Sequence, residues 1–391
     1  MIKATLRAAL LAIGIWACAS IATAQETVGE VVNFLVTNRA VQTDDFQRDQ
    51  AAAAAASDAI TRALLVNLTS VPLVSSSSGF LYRFNPALGT VERATESFGG
   101  FFVERALTPG AGRASFGVSA YTAAFDRLGD LDLRNGSMLT VANQFRDEAA
   151  PFDTESLTLQ VRSSTMTIFG SVGITDDFEI GGALPLIQLS LDGERLNIYR
   201  GTPTVQAIGE ASASGIGDVA LRAKYTLASS SVAAVAAAAE VRLPTGDETN
   251  LLGAGATTYR FLGIGSVETG RVALHGNAGF IFGGVSDEVT FAGAASFAVD
   301  PRVTVSGEVL VRQVNDLSEV ELVSVSHPSI SGVDTHRLLA GQPGITVANA
   351  VAGFKWNVAR AVVLGAHVAF PLMRRGLTAP ITPSVLFEYG F

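Results

Sequence analysis

The chain is 391 residues long, 48% hydrophobic and only 16% charged, with a formal charge of −9 and 39 glycines. An ordinary soluble domain carries about a quarter charged residues and a disordered chain fewer apolar ones, so neither class fits. Beyond the first two dozen residues there is no apolar stretch of the roughly 18 residues that a spanning helix needs, which excludes a helical membrane bundle and leaves the transmembrane β-barrel, apolar on average but never for long.

Lys3 and Arg7, the apolar run Ala8 to Ala17 and the small-residue site Ala22-Thr23-Ala24 predict a secretory signal over residues 1–24. Ile15-Trp16-Ala17-Cys18 offers an alternative lipoprotein processing site. Cys18 is the only cysteine, so ordinary cleavage leaves no thiol for a disulfide, a zinc site or a nucleophile. Losing Lys3 and Arg7 takes the charge from −9 to −11. With no basic cluster, nucleic acid is not an expected partner.

Within an N-terminal segment of residues 25–78, the period from Val28 to Leu68 is helical. Val28, Val31, Val32 and Leu35 form one stripe, and Ile60, Ala63, Leu64, Asn67 and Leu68 a second. Thr43-Asp44-Asp45 suits a helix start, Ala51 to Ala56 adds propensity, and Pro72 with Ser75 to Ser78 reads as a linker. The segment is expected either to lie in the periplasm or to enter the barrel as a plug. Residues 79–112 hold a candidate first strand pair, Phe80 to Phe84 and Phe98 to Leu107, with Gly110 and Gly112 turning into the next strand and Pro86 counting against it.

From residue 113 to 391 the period is two. Val219, Leu221, Ala223, Tyr225 and Leu227 oppose Arg222, Lys224 and Thr226; Val303, Val305, Val309 and Val311 oppose Thr304, Glu308 and Arg312; Val385, Phe387, Tyr389 and Phe391 oppose Ser384 and Glu388. Twelve such segments are predicted, over 113–125, 156–174, 177–191, 217–228, 231–243, 257–266, 271–283, 288–299, 302–315, 345–358, 361–371 and 381–391. Each is long enough for a tilted crossing of the hydrocarbon layer. The expected fold is all-β, an antiparallel up-and-down transmembrane barrel of twelve strands, or fourteen with the first pair, behind an N-terminal helical segment. Short turns alternate with long connections over 126–155, 192–216, 244–256 and 316–344, as periplasmic turns alternate with external loops. That parity places both termini on the periplasmic side. A soluble β-sandwich would show shorter strands and more lysine, whereas the chain after residue 24 has only Lys224 and Lys355.

The terminal Phe387-Glu388-Tyr389-Gly390-Phe391 resembles the assembly signal of bacterial outer-membrane barrels, through Phe387, Tyr389 and Phe391. Ser214-Gly215-Ile216-Gly217-Asp218 leading to Ala223-Lys224-Tyr225, then Leu243-Pro244-Thr245-Gly246-Asp247 one hairpin later, resembles the outer-membrane family described as the MetA pathway of phenol degradation. The resemblance covers residues 156–391. A looser likeness, without a fixing motif, runs to the long-chain fatty-acid transporters. Membership implies an outer-membrane, transporter-like barrel for small hydrophobic or aromatic compounds, with lipid and the barrel-assembly machinery as partners. On residue chemistry, Gly215, Gly217, Asp218, Pro244, Gly246 and Asp247 are turn-forming groups expected at the external rim.

If the apolar face meets lipid, Arg222, Lys224, Glu240, Arg242, His275, Glu308, Arg312, Lys355 and His367 line the lumen, together with Asn277, Glu288, Arg302 and Asn357. Both signs occur, so cross-strand pairs bracing the wall and a polar constriction are the two readings. Small inward residues such as Ala292, Ala294, Ala298, Gly365 and Ala369 leave an apolar lining in places, which suits hydrophobic solutes. Along the sequence, His275-Gly276-Asn277 lacks a serine at close spacing and His367 has no neighbour of that kind, whereas hydrolytic chemistry requires a serine beside a histidine. Asp126, Asp130, Asp132 and Asn135 lack the spacing of a calcium loop, and His327 with His336 does not make a metal site. The expectation is a channel that is no enzyme and needs no cofactor or metal, with a non-transporting, surface-binding barrel as the alternative.

Overall fold

The computed structural model describes residues 26–36, 46–69, 75, 79, 82–85, 90–93, 95–136, 138–359 and 361–391. The signal at 1–24, Cys18, the Thr43 cap, Pro72, Phe80 and Pro86 lie outside them. Among the described residues two helices come first, α1 (Val28–Val36) and α2 (Phe46–Thr69), followed by a small hairpin of β1 (Tyr82–Asn85) and β2 (Thr90–Arg93). The barrel strands are β3 (Ala114–Phe125), β7 (Asp153–Gly173), β8 (Phe178–Tyr199), β10 (Val219–Ser229), β11 (Ala233–Leu243), β12 (Thr258–Thr269), β13 (Val272–Gly283), β14 (Glu288–Asp300), β15 (Val303–Ser326), β16 (Val333–Ala359), β17 (Val362–Pro371) and β19 (Thr382–Gly390). Between them lie β4 (Arg127–Leu128), β5 (Leu131–Asp132), β6 (Met138–Phe145), β9 (Thr202–Ile216) and β18 (Leu377–Thr378).

Pairing runs antiparallel around the ring from β3 through β7, β8, β10 to β17 and β19, and closes as β19 pairs with β3. The ring has twelve strands. The candidate first pair is not part of it: β1 and β2 pair only with each other, and Phe98 to Leu107 forms no strand but lies buried inside the barrel. Glu104 and Arg105 interrupt any apolar alternation there, and this segment's backbone is satisfied by side chains of the wall rather than by a ladder.

Polarity is inverted relative to a soluble protein. Phe116, Leu221, Tyr225, Phe280, Phe291, Phe354 and Val385 are exposed on the outside, while Glu179, Lys224, Glu240 and Lys355 are buried inside. Such an apolar exterior is stable only against lipid. Strand β11 shows the alternation cleanly, with Ala234, Ala236, Ala238, Glu240 and Arg242 inward.

Three of the four long connections are not loops. Strands β7, β8, β15 and β16 run for 21, 22, 24 and 27 residues, where about 10 suffice for a crossing. Residues 192–216 are the rising hairpin of β8 and β9, 316–344 that of β15 and β16, and β6 bridges β7 to β16. The tall part of the wall is thus the order β9-β8-β7-β6-β16-β15. Its outer face carries Gln160, Arg162, Asp192 and Glu210 in place of apolar groups, so alternation there does not face lipid.

The first barrel strand begins at the short-turn end, as the parity requires, but the chain before it does not stay there. Helix α1 packs on β8 and β9, and α2 on β15 and β16, at the long-loop end. Val28, Val31, Val32 and Leu35 of α1 and Ile60, Ala63, Leu64 and Leu68 of α2 are buried against Leu157, Leu159, Leu189, Leu191, Leu317 and Leu338 of the inner wall. A Cβ on Gly193 would collide with Leu35, so the glycine lets the helix come this close.

Candidate functional site

Eleven of the thirteen sequence-predicted lumen residues lie buried on the inner face, none more than 9% exposed, whereas Arg302 is exposed in the turn between β14 and β15 and Asn357 is half-buried next to the turn that follows β16. The strand register sorts the charged ones among them into two groups on opposite sides of the ring. On one side Arg222 stands opposite Glu240 and Lys224 opposite Glu179. The Arg222 guanidinium binds the Glu240 carboxylate at 2.5 and 3.0 Å, Arg242 Nε reaches Glu240 at 2.9 Å, and Lys224 Nζ lies 3.2 Å from Glu179. Arg260 is the register partner of Glu240 on β12. On the other side are Glu308, Lys355, Glu388 and the pair of Arg312 with Glu288 at 2.7 Å.

Residues 95–110 cross the lumen between these walls as a strap. The Glu308 carboxylate accepts the amides of Phe101, Phe102 (3.0 Å) and Val103 (3.1 Å), an arrangement of successive N–H groups suited to an anion. A Cβ on Gly100 would stand 2.8 Å from the same carboxylate. Lys355 Nζ donates to the carbonyls of Gly99 (2.8 Å) and Gly100 (2.6 Å) and sits 4.8 Å from the centre of the Phe101 ring. His367 packs on Phe101, with centroids 4.2 Å apart, and meets Phe102 edge-on. The Phe98 amide donates to Thr304 at 3.0 Å.

Farther along, Asn277 copies a ladder partner, accepting from the Glu104 amide at 2.7 Å and donating to its carbonyl at 3.0 Å. Ala106 donates to Ser266 at 2.9 Å and accepts from Thr226 at 2.7 Å. Two of the strap's charges, Glu104 and Arg105, point to different partners. Glu104 binds Arg222, lies 3.8 Å from Lys224 and accepts from Ser75 at 3.1 Å. Arg105 binds Glu268 at 2.8 Å and Thr95 at 2.7 Å. Below the strap, at the short-turn end, lies a cavity of about 590 Å³ lined in part by Leu107, Ser266, Glu268 and Asp300. His275 contacts Ser266 at 2.9 Å beside it.

Sequence reasoning missed Glu104 and Arg105. The available signal was the pair of opposite charges inside the apolar run Phe98 to Leu107, since buried charges must find partners.

At the rim the two glycine-aspartate motifs meet. Asp218 accepts from the amides of Gly246 (3.0 Å) and Ala254 (2.8 Å), and Thr245 Oγ1 donates to the Gly217 carbonyl at 2.8 Å. Gly215 and Gly217 leave room for Leu252 and Ile187, Gly246 for Gly253. Strand β11 ends at Leu243, and Pro244 brings no amide to extend it. Asp247 accepts from Asn250 Nδ2 at 2.7 Å and from Thr249, bonds that hold its carboxyl below the ordinary value of 3.8.

The loop so shaped holds the first turn of α1. Gly29 donates to the Thr249 carbonyl at 3.2 Å and Val28 to Asn250 Oδ1 at 3.3 Å. Thr27 and Glu30 form a reciprocal capping box at 2.8 and 3.2 Å, in which the Thr27 amide holds the Glu30 carboxyl below its ordinary 4.5. At the other end Phe387, Tyr389 and Phe391 face outward, and Phe391 exchanges backbone bonds of 2.8 and 2.9 Å with Ala114 at the seam that closes the ring.

A comparison with solved structures finds an outer-membrane channel from Pseudomonas putida F1 at 12% identity, covering 71% of this chain and 95% of that one, with a TM-score of 0.45. The KdgM porin aligns at 9% identity over 71% of this chain and 99% of its own, with a TM-score of 0.38. The comparison with curated proteins returns no match. The family described as "Putative MetA-pathway of phenol degradation" matches residues 111–320, more than half of the chain, from the first barrel strand through most of β15, and the rim motifs fall within that span. This chain belongs to that family of outer-membrane β-barrels.

Proposed function

We propose that the protein is a diffusion channel for small hydrophobic or aromatic molecules across the outer membrane, closed in this conformation by its own N-terminal segment. The observation that carries this reading is the strap. The lumen is filled by a separately threaded piece of chain, held by wall side chains through hydrogen bonds and ion pairs, and such a filling can leave without opening the ring. The solute class is supported by the upper inner wall, where Leu157, Leu159, Leu189 and Leu191 meet the helices; release of α1 and α2 would turn these residues toward the path. Lipid around the barrel and the barrel-assembly machinery, reading Phe387, Tyr389 and Phe391, are the partners that go with it.

Flux measurements on proteoliposomes test the proposal. Phenol and toluene should enter faster than through protein-free vesicles, and a disaccharide should not. Equal flux with and without protein for every aromatic solute would overturn it. A second reading, attachment through the tall wall without transport, is favoured by the exposed Leu322, Val323, Val325 and Ile330 at the tip of the β15–β16 hairpin. It predicts a binding phenotype lost when that tip is made polar, with permeability unchanged.

A further inference from the structure

The lumen is polarised from side to side. Strands β10 and β16 stand six places apart in a ring of twelve, so their walls face each other. Around Arg222, the β8–β12 wall brings four cations, Arg222, Lys224, Arg242 and Arg260, against two carboxylates, Glu179 and Glu240. The facing wall brings Glu288, Glu308 and Glu388 against Lys355 and Arg312. The strap lies across this field in the favourable sense. Its peptide amides point at Glu308, and its Glu104 carboxylate enters the cationic wall.

Glu104 therefore occupies a place built for a carboxylate. Arg222 keeps one edge, Nε and Nη2, on Glu240 and turns Nη1 to Glu104, while Lys224 lies between Glu104 and Glu179. Among the described residues nothing accepts from the buried Arg260 Nε at the same wall, a donor that an additional anion oxygen would satisfy. Above this point the inner wall is lined by leucines, and in the strap Phe101 and Phe102 flank the crossing. A ligand matching both zones has an apolar body and one carboxylate.

We propose that the Arg222, Lys224 and Arg260 wall is a recognition site for the carboxylate of small organic acids with an aromatic or aliphatic body, and that Glu104 fills it as an internal stand-in that such a solute displaces. This deepens the channel reading and rests on it. A carboxylate that replaces Glu104 keeps the wall's charge balance but detaches the strap at its middle, so the solute that fits the site is also the one that loosens the closure.

The test uses the full-length protein in proteoliposomes with three solutes of similar size: neutral phenol, benzoate and the benzylammonium cation. In Glu104→Gln, benzoate flux relative to phenol should rise about tenfold, the weight of one charge-assisted contact of about 1.4 kcal/mol, and the benzylammonium ratio should not. Adding Arg222→Gln to that variant should abolish the gain; where the double variant fails to reach the folded, heat-resistant form, Lys224→Gln takes its place. Phenol flux with a benzoate ratio that no variant changes would overturn the site and leave the channel standing. An equal rise for benzoate and benzylammonium would show mere loosening of the strap and would also overturn the site. Absence of flux for all three solutes in every variant would remove both readings.

Discussion

Glu308 is the wall side chain that takes the most backbone amides of the strap among the described residues. Its carboxylate is 3% exposed and takes three consecutive amides of the strap, and its own wall supplies Lys355 as counter-charge from β16. Removing it leaves buried amides without an acceptor, at about 1 to 3 kcal/mol for each group left unsatisfied. Glu308→Ala is therefore expected to lower the urea midpoint of the detergent-solubilised protein and to raise the frequency of channel openings in planar bilayers. Lys355→Met should do so more weakly, because the Gly99 and Gly100 carbonyls it serves can take water once the strap moves. An unchanged conductance record in Glu308→Ala would show that the strap is not the closing element. Phe391 makes the complementary case on the outer surface: it is 67% exposed and its backbone closes the seam with Ala114, so Phe391→Asn should leave the folded barrel's conductance intact while reducing the amount assembled in the outer membrane, measured by heat-modifiable mobility.

Among the elements, α1 is the one that the rim motifs explain. Asp218 and Asp247 shape the 244–256 loop, and that loop presents a carbonyl and an amide oxygen to the first amides of the helix. A cysteine pair at Val28→Cys and Asn250→Cys, in a background lacking Cys18, is expected to lock the helix to the rim when oxidised and to reduce aromatic flux several-fold, with recovery on reduction. The same flux in both redox states would mean that α1 need not move. How much of this was legible follows the range of the interactions. The twelve strands could be read because lipid on one side and the lumen on the other impose a period of two locally, as in β11. The α1 stripe was visible for the same local reason, its spacing matching the residues that are buried. The heights of β8, β9, β15 and β16 were not, because above the membrane the outer face turns polar at Gln160, Asp192 and Glu210 and the apolar face turns inward toward the helices. The strap was hidden for a different reason. Its partners Asn277, Glu308 and Lys355 lie some 170 to 256 positions away, and nothing within Phe98 to Leu107 names them.

At the scale of the whole molecule the chain is a ring of twelve strands with two closures in series, helices in the long-loop half and the strap in the short-turn half. Barrels of about eight strands are filled by their own side chains and those of 16 to 18 hold water channels, so a ring of twelve has space for one threaded segment, which is what the strap is. The two closures differ in what holds them. The strap is anchored by ion pairs inside the membrane span, while the α1 turn is anchored by carboxylates outside it, Glu30 and Asp247, both held below their ordinary values of 4.5 and 3.8. A lowered folded-state value means that each contributes stability fully present above its ordinary value and lost as the pH falls through the lowered one. The rim latch is therefore expected to be intact at pH 6 and to weaken progressively below pH about 4, so that channel openings become more frequent in that acid range. In Asp247→Asn the loop keeps its shape only in part and the carboxylate's share of the titration is gone, so openings should be more frequent at pH 6 and should rise less on acidification. Bilayer recordings of both proteins between pH 6 and 3 check this; a parallel rise in the two would place the acid response elsewhere than in the latch.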